Sequence, residues 1–78
     1  MKEYKIYTKS GYCGYCDAAK VLMREKNIRF KEVKLVTVEQ KQFFRDEGFS
    51  TVPQIYDDEG NHIGGYDDLR KKLNGNAL

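Results

Sequence analysis

The 78-residue sequence contains no tryptophan, one proline, one histidine and two cysteines. No apolar run approaches the ~18 residues that a membrane-spanning helix needs. Two cysteines are too few for the disulfide scaffold of a small secreted domain, which uses several at wide spacings. A structural zinc site needs four ligands, and His62 is the only soft donor beyond Cys13 and Cys16, so no metal site is expected. One-sided charge is also missing. Fourteen lysines and arginines are interleaved with twelve acids, for a net +2, which excludes the basic block of a nucleic-acid binder. The stretch Met1-Lys2-Glu3-Tyr4-Lys5 lacks a signal-peptide core. A cytoplasmic protein is expected, with neither nucleic acid nor membrane as partner.

What is present fits one soluble domain over residues 1–78. Apolar residues make up 40 % and charged residues 33 %, a globular balance. At this size only roughly 60 % of the unfolded surface is buried on folding, so the core must be small.

Glu3 to Thr8 alternates Tyr4 and Ile6 with Lys5 and Tyr7 and reads as a strand. Cys16 to about Lys26 reads as a helix with Ala18, Ala19, Leu22 and Met23 on one stripe, stopped at Asn27. Ile28 to Leu35 reads as a second strand whose alternation breaks between Phe30 and Val33. Thr37 and Gln40 have the spacing of a capping box. They open a helix over Val38 to Glu47, anchored by Phe43 and Phe44 and stopped at Gly48. Gln54 to Tyr56 and His62-Ile63 form a hairpin around the Asp57–Asn61 turn. Gly64-Gly65 breaks the strand. Asp67 or Asp68 then caps a last helix carrying Leu69 and Leu73, which ends at Asn74-Gly75-Asn76 before a fraying tail. The order is βαβαββα. Two strands joined through a helix pair in parallel and the last two antiparallel. The expected fold is α/β: a four-stranded mixed sheet with three helices on its two faces. Phe43, Phe44 and Leu22 are expected in the core, and His62 as a satisfied or exposed hairpin residue.

Cys13 and Cys16 carry the chemistry. Cysteines three apart at a helix start share a face, with α-carbons roughly 5 Å apart, within reach of a disulfide. Cys13 falls just before the first turn, where unpaired N–H groups and the helix dipole favour a thiolate. Such sites lower cysteine pKa values to about 3.5–7.5. Cys16 lies one turn inside, more buried and next to Asp17, which disfavours a second thiolate. Cys13 therefore attacks and Cys16 resolves.

Ile6-Tyr7-Thr8-Lys9, then Cys13-Gly14-Tyr15-Cys16 and Ala19-Lys20, resemble the strand, active-site loop and first helix of the glutaredoxin family. Thr51-Val52-Pro53-Gln54-Ile55 and Gly64-Gly65-Tyr66-Asp67-Asp68-Leu69 match its two downstream motifs in order and spacing. The resemblance covers almost the whole chain and implies a thioredoxin-like fold. It also implies a cis Val52–Pro53 bond beside Cys13 and glutathione as co-substrate.

The implied glutathione-binding residues are Lys9, Tyr15, Thr51, Val52, Pro53, Gly65, Asp67 and Asp68. Lys9 would hold the glycyl carboxylate, Val52 the cysteine backbone, Tyr15 one wall of the cleft, and Asp67 and Asp68 the γ-glutamyl ammonium. Gln54 and Gln42 are weaker candidates. Gly64 and Gly65 permit close backbone approach. Two departures stand out: Gly14 replaces the family's usual proline, and Gly11-Tyr12 adds one residue between Lys9 and Cys13.

The implied activity is a dithiol glutathione-disulfide oxidoreductase acting on protein disulfides and glutathione mixed disulfides, with ribonucleotide reductase among the candidate acceptors. The expected protein is a monomer with no tightly bound cofactor. Two alternatives stand beside it. One is a thioredoxin-like donor recycled by a reductase. The other is a [2Fe–2S] carrier, since some glutaredoxins lacking that proline hold a cluster between two subunits with glutathione.

Overall fold

A computed structural model describes residues 3–74. Strand β1 (Tyr4–Lys9) leads into helix α1 (Gly14–Glu25) and strand β2 (Phe30–Leu35). Helix α2 (Val38–Asp46), strands β3 (Gln54–Tyr56) and β4 (His62–Gly64) and helix α3 (Tyr66–Asn74) follow. The sheet order is β2-β1-β3-β4, with β1 and β2 parallel and the other pairs antiparallel. This is the expected four-stranded mixed sheet with three helices. The expected tail beyond Asn74 lies outside the described residues, as do Met1 and Lys2.

The parity of β1 divides the molecule. Ile6 points to one face, lies opposite Ile55 of β3 and joins Ala19, Met23 and Leu69 in a fully buried cluster. Tyr7 points to the other face and meets Phe44 of α2, ring centroids 5.9 Å apart. Helices α1 and α3 thus cover one face and α2 the other.

The same division explains the broken alternation of β2. In register with Tyr4, Phe30 faces the α1 side; in register with Tyr7, Val33 faces α2. A strand covered on both faces needs apolar residues of both parities. Glu32 also faces the α1 side, where it accepts hydrogen bonds from Thr8 Oγ1 at 2.8 Å and Lys20 Nζ at 3.2 Å. Burial pushes its carboxyl up, but the Thr8 hydroxyl and the Lys20 ammonium outweigh that and hold it below the usual carboxylate range.

Four local expectations need correction. Helix α1 starts at Gly14, two residues ahead of the stripe that reads as helical from Cys16, because the side chain of Cys13 caps it; Cys13 thus sits just before the first turn, as expected. Cysteine is outside the usual capping set of Ser, Thr, Asp and Asn, so the composition gave no such signal. Helix α3 starts at Tyr66, ahead of both aspartates, because Asp68 Oδ2 reaches back to accept from the Gly65 N–H at 3.2 Å. Phe43 is 55 % exposed, while its neighbour Phe44 is buried. A helix lying on a sheet turns about 100° per residue, so only one of two successive residues can face inward. Leu22 is half-buried, at the edge of the core. The capping box of Thr37 and Gln40 forms as expected, and Gly48 takes a left-handed φ of 91° just after α2.

Candidate active site

The chain leaves the C-terminal end of β1 and enters α1 through Cys13, which supplies its own sulfur as the cap. The Cys16 N–H donates to Cys13 Sγ at 3.3 Å. The two cysteines form a disulfide across a Cα–Cα distance of 5.3 Å. Cys13 is half-buried, whereas Cys16 is 2 % exposed. Only the first sulfur is therefore accessible to a partner.

Around Cys13 lies a hollow of ≈ 460 Å³ bounded by Lys9, Tyr12, Gly14, Tyr15, Ser50, Thr51 and Val52. Tyr15, Thr51 and Val52 also line a second hollow of ≈ 550 Å³, which continues over Pro53 to Gly64, Gly65, Tyr66, Asp67 and Asp68. The two make one groove, with a cation at one end and two carboxylates at the other. All eight candidate ligand-binding residues lie along it. The Val52–Pro53 bond is cis. A Cβ added to Gly65 would stand 3.6 Å from the Pro53 carbonyl, so the two downstream motifs meet at the groove floor.

Several contacts around the groove escaped the sequence reading. Tyr12 is 84 % exposed at the rim, and its hydroxyl would lie 2.9 Å from a Cβ placed on Gly14. The rings of Tyr15 and Tyr66 lie 6.2 Å apart on the groove wall. Buried Gln54 donates from Nε2 to the carbonyl of Thr51 at 3.2 Å and to its Oγ1 at 3.3 Å, and Gln54 Oε1 lies 2.7 Å from His62 Nε2. Since Nε2 of Gln54 is engaged as a donor, the His62 Nε2 must carry the proton. His62 is thus satisfied, as expected, and it braces the Thr51-Val52 turn through Gln54. Alternating hydrophobicity cannot reveal such a bond across a hairpin. Gln42 falls away from the groove: on the exposed face of α2 it donates to Asp46 at 2.9 Å.

A βαβ unit whose C-x-x-C sulfur caps the crossover helix beside an exposed groove defines a thiol–disulfide oxidoreductase of thioredoxin-like fold. The glutaredoxin family model matches residues 5–63, and the chain belongs to that family. It is 39 % identical over 71 residues to glutaredoxin 3 of Escherichia coli strain K12, covering 88 % of this chain and 83 % of that one. It is 44 % identical over 68 residues to glutaredoxin 1 of Rickettsia prowazekii, covering 82 % and 70 %. The crystal structure of glutaredoxin 1 from Francisella tularensis, complexed with cacodylate, superposes with a TM-score of 0.79 at 37 % identity, over 95 % of this chain and 94 % of that one. Among the described residues no helix is long and apolar enough to cross a membrane.

Proposed function

We propose that the chain is a glutathione-dependent oxidoreductase of the cytoplasm that works as a monomer through Cys13 and Cys16. The observation that carries this reading is the Cys16 N–H directed at Cys13 Sγ. On reduction that donor and the α1 dipole remain in place and stabilise a thiolate on Cys13. The thiolate attacks the glutathione sulfur of a mixed disulfide, and the protein thiolate leaves. Cys16 then attacks Cys13 and expels glutathione, leaving the Cys13–Cys16 disulfide. Alternatively, a second glutathione attacks the glutathione sulfur on Cys13, restores the thiol and leaves as glutathione disulfide. Each route moves two electrons, with no tightly bound cofactor.

The groove suits glutathione along its length. No turn, loop or cap hydrogen bond among the described residues uses the Val52 N–H, so it can pair with the tripeptide backbone. The first-turn N–H groups of α3 suit the γ-glutamyl carboxylate. Asp68 uses one oxygen toward Gly65 and, with about four lone-pair sites on a carboxylate, can still accept an ammonium. Lys9 suits the glycyl carboxylate. Ribonucleotide reductase is one candidate among the protein acceptors.

The test is turnover of a small glutathione mixed disulfide coupled to glutathione reductase. The parent turns over and Cys13→Ser does not. Absence of parent turnover, with reduction by thioredoxin reductase instead, would overturn the glutathione assignment in favour of a reductase-recycled donor.

Gly14 supports one second reading, a [2Fe–2S] carrier. The residue lacks the ring that usually stiffens this loop, and Cys13 would supply one ligand, with the rest from a second copy and glutathione. That reading requires a coloured dimer after anaerobic purification with glutathione; a colourless monomer removes it.

A further inference from the structure

Beside the Cys13 hollow, between the end of β1 and α2, lies another depression of ≈ 310 Å³. It shares Lys9, Ser50, Thr51 and Val52 with that hollow. Its remaining walls are Leu35, Lys41, Phe44, Arg45 and Phe49. The floor is apolar: Leu35 and Phe44 are buried, and the Phe44 and Phe49 rings lie 5.1 Å apart.

The rim carries three cations and no carboxylate. Lys9, Lys41 and Arg45 form no ion pair among the described residues. Lys41 and Arg45 are four apart on α2, a like-charge spacing that costs helix stability unless an anion relieves it. The acids of the same helix region are turned elsewhere. Glu39 and Glu47 line hollows on the Phe43 side, and Asp46 is engaged by Gln42. This edge of the active site thus carries three cations with no carboxylate in its lining. A tripeptide with a single carboxylate at this end would engage Lys9 and leave Lys41 and Arg45 unanswered.

We propose that this groove docks an acidic peptide segment bearing apolar side chains, contributed by the protein whose disulfide Cys13 attacks. The proposal rests on the oxidoreductase reading above and adds a partner chemistry to it. A chain paired with Val52 and continuing past Thr51 enters the groove within a few residues of its reacting cysteine. Its apolar side chain settles on Phe44 and Phe49 and its carboxylates meet Lys41 and Arg45.

The experiment uses the fully reduced protein and two synthetic peptides. Each has one internal disulfide, flanked by Leu and Glu in one and by Leu and Lys in the other. Cys13 attacks one peptide sulfur and the other peptide thiolate leaves. Cys16 then attacks Cys13 and releases the second, so the peptide is reduced as the protein is oxidised. At low salt the acidic peptide reacts about tenfold faster, the lower end of the range for electrostatic steering. The advantage closes near 1 M salt, where screening extends only about 3 Å. Lys41→Glu/Arg45→Glu abolishes or reverses it, Lys41→Gln/Arg45→Gln reduces it, and both variants reduce hydroxyethyl disulfide at the parental rate. Equal rates for the two peptides, or a preference that survives in the reversed variant, would overturn the docking proposal alone. Failure of the parent to reduce hydroxyethyl disulfide would instead overturn the oxidoreductase reading, and this proposal with it.

Discussion

The carboxylate of Asp68 occupies the space where Gly64 lacks a side chain: a Cβ added at Gly64 would collide with Asp68 Oδ2. Gly64 also holds a φ of 126°, a region that L side chains rarely adopt. The glycine therefore lets Asp68 cap α3 while facing the groove. Gly64→Ala is expected to lower stability by about 1–3 kcal/mol from backbone strain. It also displaces Asp68 and raises KM for a glutathione mixed disulfide more than it lowers kcat. Denaturant titration and steady-state kinetics check both effects.

Glu32 gives the fold a defined acid sensitivity. Its carboxyl titrates below the ordinary value of 4.5. Its contribution is therefore fully present above that value and is lost as pH falls through the lowered one. Glu32→Gln keeps an acceptor for Thr8 and loses the pairing with Lys20. The variant is expected to be less stable at pH 7 by about 1 kcal/mol, a partly exposed pair being worth little more. Its stability should also fall less steeply than the parent's from about pH 5 downward. Denaturant midpoints at several pH values, converging at the acid end, verify this.

Gly14 is the first residue of α1, where a missing N–H costs nothing and proline is favoured. The nearest obstacle to a side chain there is the Tyr12 hydroxyl, the far end of an exposed side chain. Gly14→Pro is expected to stabilise the chain by about 0.4–1 kcal/mol by restricting the unfolded state, while moving the Tyr12 ring off the helix start. Thermal melting reads the gain, and Tyr12 fluorescence in a variant series reads the displacement.

The chain order of the elements, the parallel β1–β2 pair and the β3–β4 hairpin were legible from the helical stripes and from the glycines and aspartates at the turns; the β1–β3 pairing was not, and the alternation of β2 is broken because both its faces are covered. Ile6, Met23, Ile55 and Leu69 are residues whose neighbours announce their burial. The active-site cysteines were legible from their spacing before a helical stripe. The glutathione candidates came from motif resemblance; periodicity does not mark them.

What remained hidden depends on side chains used in uncommon ways. A sulfur acting as a helix cap moved the start of α1, and a carboxylate reaching back to Gly65 moved the start of α3. The choice of Phe44 over Phe43 was set by how α2 lies on Tyr7, which only tertiary packing decides. The His62–Gln54–Thr51 relay joins residues from a strand, a hairpin arm and a loop, and no local pattern encodes it.

The account turns on unequal ionisation of two sulfurs three residues apart. Its most direct test is the pH dependence of iodoacetamide alkylation at each cysteine of the reduced protein, with Cys16→Ser isolating the first. The expected result is half-maximal reaction at Cys13 within about pH 3.5–7.5, while Cys16 stays unreactive until well above pH 8. If both thiols titrate near the ordinary cysteine value of about 8.5, the helix start does not activate Cys13 and the proposed mechanism is contradicted.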